Sequence, residues 1–179
     1  FGPNIPFLTV MSAENAPRAE GNQVFDFIES ELLDIEASLD APRAKKSTDV
    51  GYGRADKAAA WMLLARLYLN AQVYTGTAQW DKAATYAKKV INESGRSLCS
   101  TPGSEFVTAD GATRKWSAYQ KLFMGDNGET DAANEAILPL LQDGVKTTSW
   151  GTSLFAMAGC FSTDMKLVKD SENNNGTSE

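Results

Sequence analysis

The chain has 179 residues, with 17 Lys and Arg against 23 Asp and Glu, two Cys and no His. Without imidazole there is no Ser-His-Asp or Cys-His nucleophile, no His-ligated metal and no imidazole acid–base residue. A net charge of −6 offers no basic excess to neutralise a phosphate backbone, which argues against nucleic acid as a partner. An apolar fraction of 42% and a charged fraction of 22% match an ordinary globular chain long enough to bury one core.

The ends carry expectations of their own. The sequence starts at Phe1, shows no basic and then apolar leader, and holds no run of eighteen apolar residues. It therefore reads as a processed protein or an excised piece. Asp170–Glu179, DSENNNGTSE, is polar and aperiodic and is expected to be a loop or tail. Cys99 and Cys160 form no Cys-x-x-Cys pair. They fit either one disulfide or two separate small apolar residues.

In chain order, Phe1–Val10 contains Gly2, Pro3 and Pro6, which excludes a regular helix and predicts extended backbone or turns. Residues 11–21 read as loop. From Asn22, a potential N-cap, Val24, Phe25, Ile28, Leu32, Ile35 and Leu39 recur at steps of three or four. This predicts an amphipathic helix over 22–40, with Glu29, Glu31, Asp34 and Glu36 on its solvated face. Residues 40–55 form a polar connection containing Pro42 and the run Gly51-Tyr52-Gly53.

The strongest pattern lies between Asp56 and Glu93. Asp56 is placed to cap an alanine-rich helix through Trp61, Leu64, Ala65, Tyr68 and Leu69. After a loop at Tyr74–Thr77, a second helix starts near Trp80. Ala83, Ala84, Ala87, Val90 and Ile91 share one face, Lys82, Lys88 and Lys89 point outward, and Gly95 closes it. Trp61-Leu64-Ala65-Tyr68 followed by Trp80-Ala83 is similar to one tetratricopeptide helix pair, and such a pair needs neighbouring helices to cover its faces. Both tryptophans are expected in the core.

The second half is less regular. Residues 96–115 read as loop with short extended pieces, and Trp116–Phe123 as a short helix. Gly125–Asp131 reads as a surface turn, and Glu135–Leu141 as an edge strand or one cut short by Pro139. Thr147–Phe155 is a polar loop carrying Trp150.

Three stretches together resemble the SusD/RagB family of outer-membrane nutrient-binding lipoproteins. They are Gly51–Leu69, GYGRADKAAAWMLLARLYL; Trp80-Asp81-Lys82-Ala83 leading to Val90-Ile91; and Asn134-Glu135-Ala136-Ile137-Leu138, which is similar to a family strand. The opening FGPNIPFL and the Val24–Leu32 segment fit the same order. The resemblance implies a mainly α fold, a tetratricopeptide-like scaffold with irregular loops and a few short strands. It implies an extended or loop region over 1–21, a helical scaffold over 22–95 and a loop-rich ligand side over 96–179. It also implies a non-catalytic role at the cell surface of Bacteroidota, capturing oligosaccharide or another nutrient for a SusC-like TonB-dependent transporter. A lipid anchor is expected in the full-length protein, and no cofactor is expected.

Sugars present apolar C–H faces ringed by hydroxyls, so exposed aromatics beside Ser, Thr and Asn are the residues to look for. Trp150 with Ser149, Thr148 and Asn127 offers that mixture, and Tyr52 in its glycine-flanked loop is a further candidate. Trp116 and Tyr119 are weaker ones. Asp126, Asn127, Glu129 and Asp131 depart from the EF-hand spacing and read as a solvated turn. The sequons at Asn92 and Asn175 read as chance matches. A rival reading is a tetratricopeptide-type interaction module without a small ligand. A carboxylate glycosidase would need a carboxyl with a raised pKa in a pocket, and a solvated helix face does not supply one.

Overall fold

Asp56 begins the central helix as its sequence position suggests. Its Oδ1 accepts a hydrogen bond from the Ala58 amide at 3.0 Å, and α2 runs Lys57–Leu69. The computed structural model describes residues 5–11 and 15–141. The chain divides into two compact units, Phe1–Pro139 and Leu140–Glu179. All elements named below belong to the first unit; of the second, only Leu140 and Leu141 are described, both exposed.

The other helices are α1 (Gln23–Glu36), α3 (Ala71–Thr75), α4 (Trp80–Glu93) and the short α5 (Ala118–Lys121), with a 3-10 turn at Asp131–Asn134. Two three-residue strands, β1 (Glu105–Val107) and β2 (Thr113–Lys115), pair antiparallel with Phe106 opposite Arg114. The described fold is mainly α, as the sequence implies. Gly95, at φ 66°, follows the Ser94 cap of α4 in the left-handed conformation that suits glycine.

α2 packs most extensively on α4, and α1 lies against α2. One apolar cluster joins Phe25 and Leu32 of α1 to Leu64 and Tyr68 of α2 and Ala83 of α4. A second joins Ala58 and Trp61 to Val90. The alanines allow close approach, while Leu64, fully buried, contributes about 1.5–3 kcal/mol through burial.

Between these clusters runs a layered polar seam. The Tyr68 hydroxyl donates to Glu29 at 2.7 Å and Lys82 donates to the same oxygen at 3.0 Å. Two helical turns away, Trp61 Nε1 donates to Glu36 at 2.6 Å and Lys89 reaches it at 3.3 Å. Moving from one layer to the next advances seven positions on α1 and α4 and retreats seven on α2. The same carboxylate–aromatic–lysine set is thus repeated, with α2 antiparallel to both neighbours. Each lysine also lies over a ring: Lys82 is 4.8 Å from the centroid of Tyr68 and Lys89 is 5.3 Å from that of Trp61.

The seam corrects several expectations. Glu29 and Glu36 are partly buried against the helix bundle rather than fully solvated; Lys82 stays exposed, as expected, while reaching Glu29, and Lys89 is partly buried beside Glu36. The buried stripe of α1 is Phe25 and Leu32, leaving Ile28 and Ile35 39% and 42% exposed. The helix ends at Glu36, short of the expected residue 40, and Asn22 makes no side-chain cap. On α4, Ile91 is exposed. Trp61 is buried as expected, but Trp80 is 60% exposed, because it sits on the first turn of α4 outside both clusters. Glu135–Leu141 forms no strand, because an arginine engages backbone carbonyls that a neighbouring strand would need.

Candidate functional site

Two loops meet on one side of this scaffold. The first, residues 46–54, is a series of tight turns: Tyr52 N–H donates to the Asp49 carbonyl at 3.2 Å and Arg54 N–H to Gly51 at 3.0 Å. Gly51 and Gly53, at φ 81° and 77°, supply the left-handed backbone on either side of Tyr52. The second loop, 124–130, turns at Asn127 and Glu129 through bonds to the Met124 and Asp126 carbonyls. Ser47 N–H donates to the Gly128 carbonyl at 2.7 Å and ties the loops together. The Tyr52 ring passes beneath Gly128: a Cβ there would stand 2.7 Å from the hydroxyl and 3.3 Å from Cζ.

Behind them, the 3-10 turn supplies Ala132 and Ala133, both buried. The chain that follows is held by Arg96. Its guanidinium donates to the carbonyls of Ala136 at 3.1 Å and Ile137 at 3.2 Å, and to Asp56 Oδ2 at 2.8 Å. Lys45 lies 3.7 Å from the same Asp56 oxygen. Asp56 is fully buried and so joins three parts at once: it caps α2, pairs two cations and, through Arg96, fixes residues 136–137. This is why an apolar run with strand-like composition is not a strand.

The result is a pocket of about 220 Å³ whose lining includes Tyr52, Asn127, Ala132, Ala136, Glu135 and Pro139. Asn127 donates from Nδ2 to the Leu122 carbonyl at 2.8 Å, which leaves Oδ1 to accept from a ligand. Glu135 accepts the Cys99 N–H at 2.9 Å through one oxygen. Tyr52 offers a ring face and a hydroxyl, while the alanines and Pro139 give apolar walls. A small apolar face with hydroxyl acceptors at its edge suits a polyhydroxylated ring better than a flat hydrocarbon. A larger hollow, about 490 Å³, opens beside α4 with Met62, Val90, Ile91, Leu98 and Ile137 among its walls, and Arg96 there is already committed to Asp56.

The structure thus brings together Tyr52 and Asn127, two of the five residues expected from sequence. Thr148, Ser149 and Trp150 lie outside the described residues, as does Cys160. Trp116 stacks on Phe106 with centroids 4.1 Å apart, and Tyr119, 70% exposed, meets Phe123 edge-on at 5.2 Å; neither lines the pocket. In the acidic turn, Asp131 is paired with Lys121, which holds its carboxyl below the usual range, while Asp126 and Glu129 are both exposed, as expected of a solvated turn, and form no ion pair among the described residues. Sequence reasoning does not single out Arg96, Gly128 or Glu135 as site residues. Only the Asn134-Glu135 motif signals one of them, and its composition points to a strand.

No family model matches the chain. Over 155 residues the chain is 41% identical to "Starch-binding protein SusD" of Bacteroides thetaiotaomicron. The match takes in 86% of this chain and 24% of that protein, so the chain spans about a quarter of the length of the curated relative it matches.

Proposed function

Taking its 155 matched residues as a segment of the SusD/RagB family, we propose that the chain is part of a non-catalytic cell-surface protein that binds oligosaccharide. The observation that carries this reading is the 41% identity to a starch-binding protein. The pocket at Tyr52 and Asn127 supports it, because its groups match a sugar's C–H face and hydroxyls. In this reading residues 22–95 are scaffold and the binding side lies in 96–179, with Tyr52 reaching across from the scaffold. Thr148, Ser149 and Trp150 are carried as further sugar-contact candidates on their residue types alone. The partner that receives the nutrient is a SusC-like TonB-dependent transporter, and the protein sits at the outer-membrane surface on a lipid anchor. Among the described residues no helix is long and apolar enough to cross a membrane.

Calorimetric titration of maltohexaose into the full chain, beside Tyr52→Ala and Trp150→Ala, tests the proposal. Saturable binding weakened in both variants supports it. Binding unchanged in both would remove these residues from the site. The interaction-module reading is favoured by one observation, the exposure of Leu69, Val73 and Trp80 at 62%, 78% and 60%. Co-purification of the transporter by a chain that binds no glycan would put that reading ahead.

A further inference from the structure

We propose that the Tyr52–Asn127 pocket selects uncharged sugars and turns away acidic ones, with Glu135 as the discriminating residue. This rests on the oligosaccharide reading and adds the charge class of the ligand. Three observations carry it. Glu135 stands in the wall between this pocket and the larger hollow beside α4 and lines both, and its partner is a backbone N–H, that of Cys99. Among the described residues it has no ion-pair partner. The stretch that forms this wall, residues 122–139, contains Asp126, Glu129, Asp131 and Glu135 and no lysine or arginine.

Three nearby cations are engaged by carboxylates, two of them sharing one. Lys121 is held by Asp131, and Arg96 and Lys45 by Asp56. Lys46 and Arg54 are exposed and neither is among the lining residues. A ligand entering the pocket therefore meets acceptors, the Asn127 carbonyl oxygen and the Glu135 carboxylate, and no cation among the lining residues. Sugar hydroxyls donate to both. A uronate or sulfate cannot donate from its charged group and brings a second negative charge beside the first. At a separation of about 6 Å near a protein surface, that repulsion, after screening by salt, amounts to roughly tenfold in affinity.

The test uses two ligands of one shape: maltohexaose and its counterpart oxidised at C6 to glucuronate. Each is titrated into the full chain and into Glu135→Gln, at low and at high salt. The expected result is about tenfold weaker binding of the oxidised ligand to the wild-type chain, a gap that narrows in Glu135→Gln and in high salt. Because glutamine keeps the acceptor that meets the Cys99 N–H, loss of fold is separated from loss of charge, and circular dichroism checks it. Equal affinities in the wild-type chain, or a gap unchanged in Glu135→Gln, would overturn the proposal while leaving the oligosaccharide reading in place. Binding of neither ligand would overturn both.

Discussion

Gly128 is the residue whose role is most sharply defined by space. Its missing side chain leaves room for Tyr52, so Gly128→Ala is expected to displace the ring and weaken maltohexaose binding about tenfold. The fold should tolerate it, since the atoms met first lie at the end of one side chain. Gly125, three residues earlier, has open space where a Cβ would go, and Gly125→Ala should leave affinity and melting temperature unchanged. Equal effects from the two variants, read by titration and thermal melting, would contradict this packing. Tyr52 and Asn127 can be picked from sequence as polar or aromatic loop residues. That they share one pocket depends on the Ser47–Gly128 hydrogen bond, a contact across 81 positions that no local pattern contains.

At the scale of elements, Asp56 is the junction of α2 with the site. Asp56→Ala removes the cap and leaves Arg96 and Lys45 buried beside an apolar side chain. The expected cost is about 3–5 kcal/mol in urea unfolding, against about 1 kcal/mol for loss of a cap alone. A cost near the lower figure would mean that the two cations find other partners. The helices α2 and α4 are legible in the sequence because alanine content, the Asp56 cap and Gly95 act locally. The face of α1 is not, because spacing of apolar residues ignores what a carboxylate can reach. Glu29 and Glu36 find Tyr68 and Trp61 on another helix, and that bonding fixes the rotation of α1 at the expense of Ile28 and Ile35. Trp80 departs from expectation for a related reason: an aromatic on a first turn can lie beyond the contact its helix makes. The Glu135–Leu141 segment has strand-like composition, but Arg96, some 40 residues away, claims the carbonyls a neighbouring strand would need.

For the molecule as a whole, the seam makes stability depend on acid. Burial raises the Glu29 carboxyl, but hydrogen bonds from Tyr68 and Lys82 and the Lys82 charge outweigh it and hold the group below its ordinary value of 4.5. Asp131 is likewise held below 3.8, first by its hydrogen bond to Lys121. A folded-state pKa that is depressed gives stability present in full above the unfolded value and lost as pH falls through the folded one. Urea midpoints should therefore hold steady above about pH 5 and fall below about 4.5. Glu29→Gln, which retains an acceptor for Tyr68, should show a shallower fall. Parallel profiles for the two proteins would show that Glu29 is not held by the seam.

Residue, element and whole chain meet in one place, the loops around Tyr52 and Asn127, where we propose a sugar-binding pocket on a helical scaffold. The most direct test is NMR mapping of backbone amides in the full chain as maltohexaose is added. Saturable shifts are expected at Tyr52, Asn127, Gly128 and Ala132–Ala136, with α2 and α4 nearly silent. Saturable shifts that spare these residues and gather elsewhere, or no shifts at millimolar sugar, would contradict such a pocket.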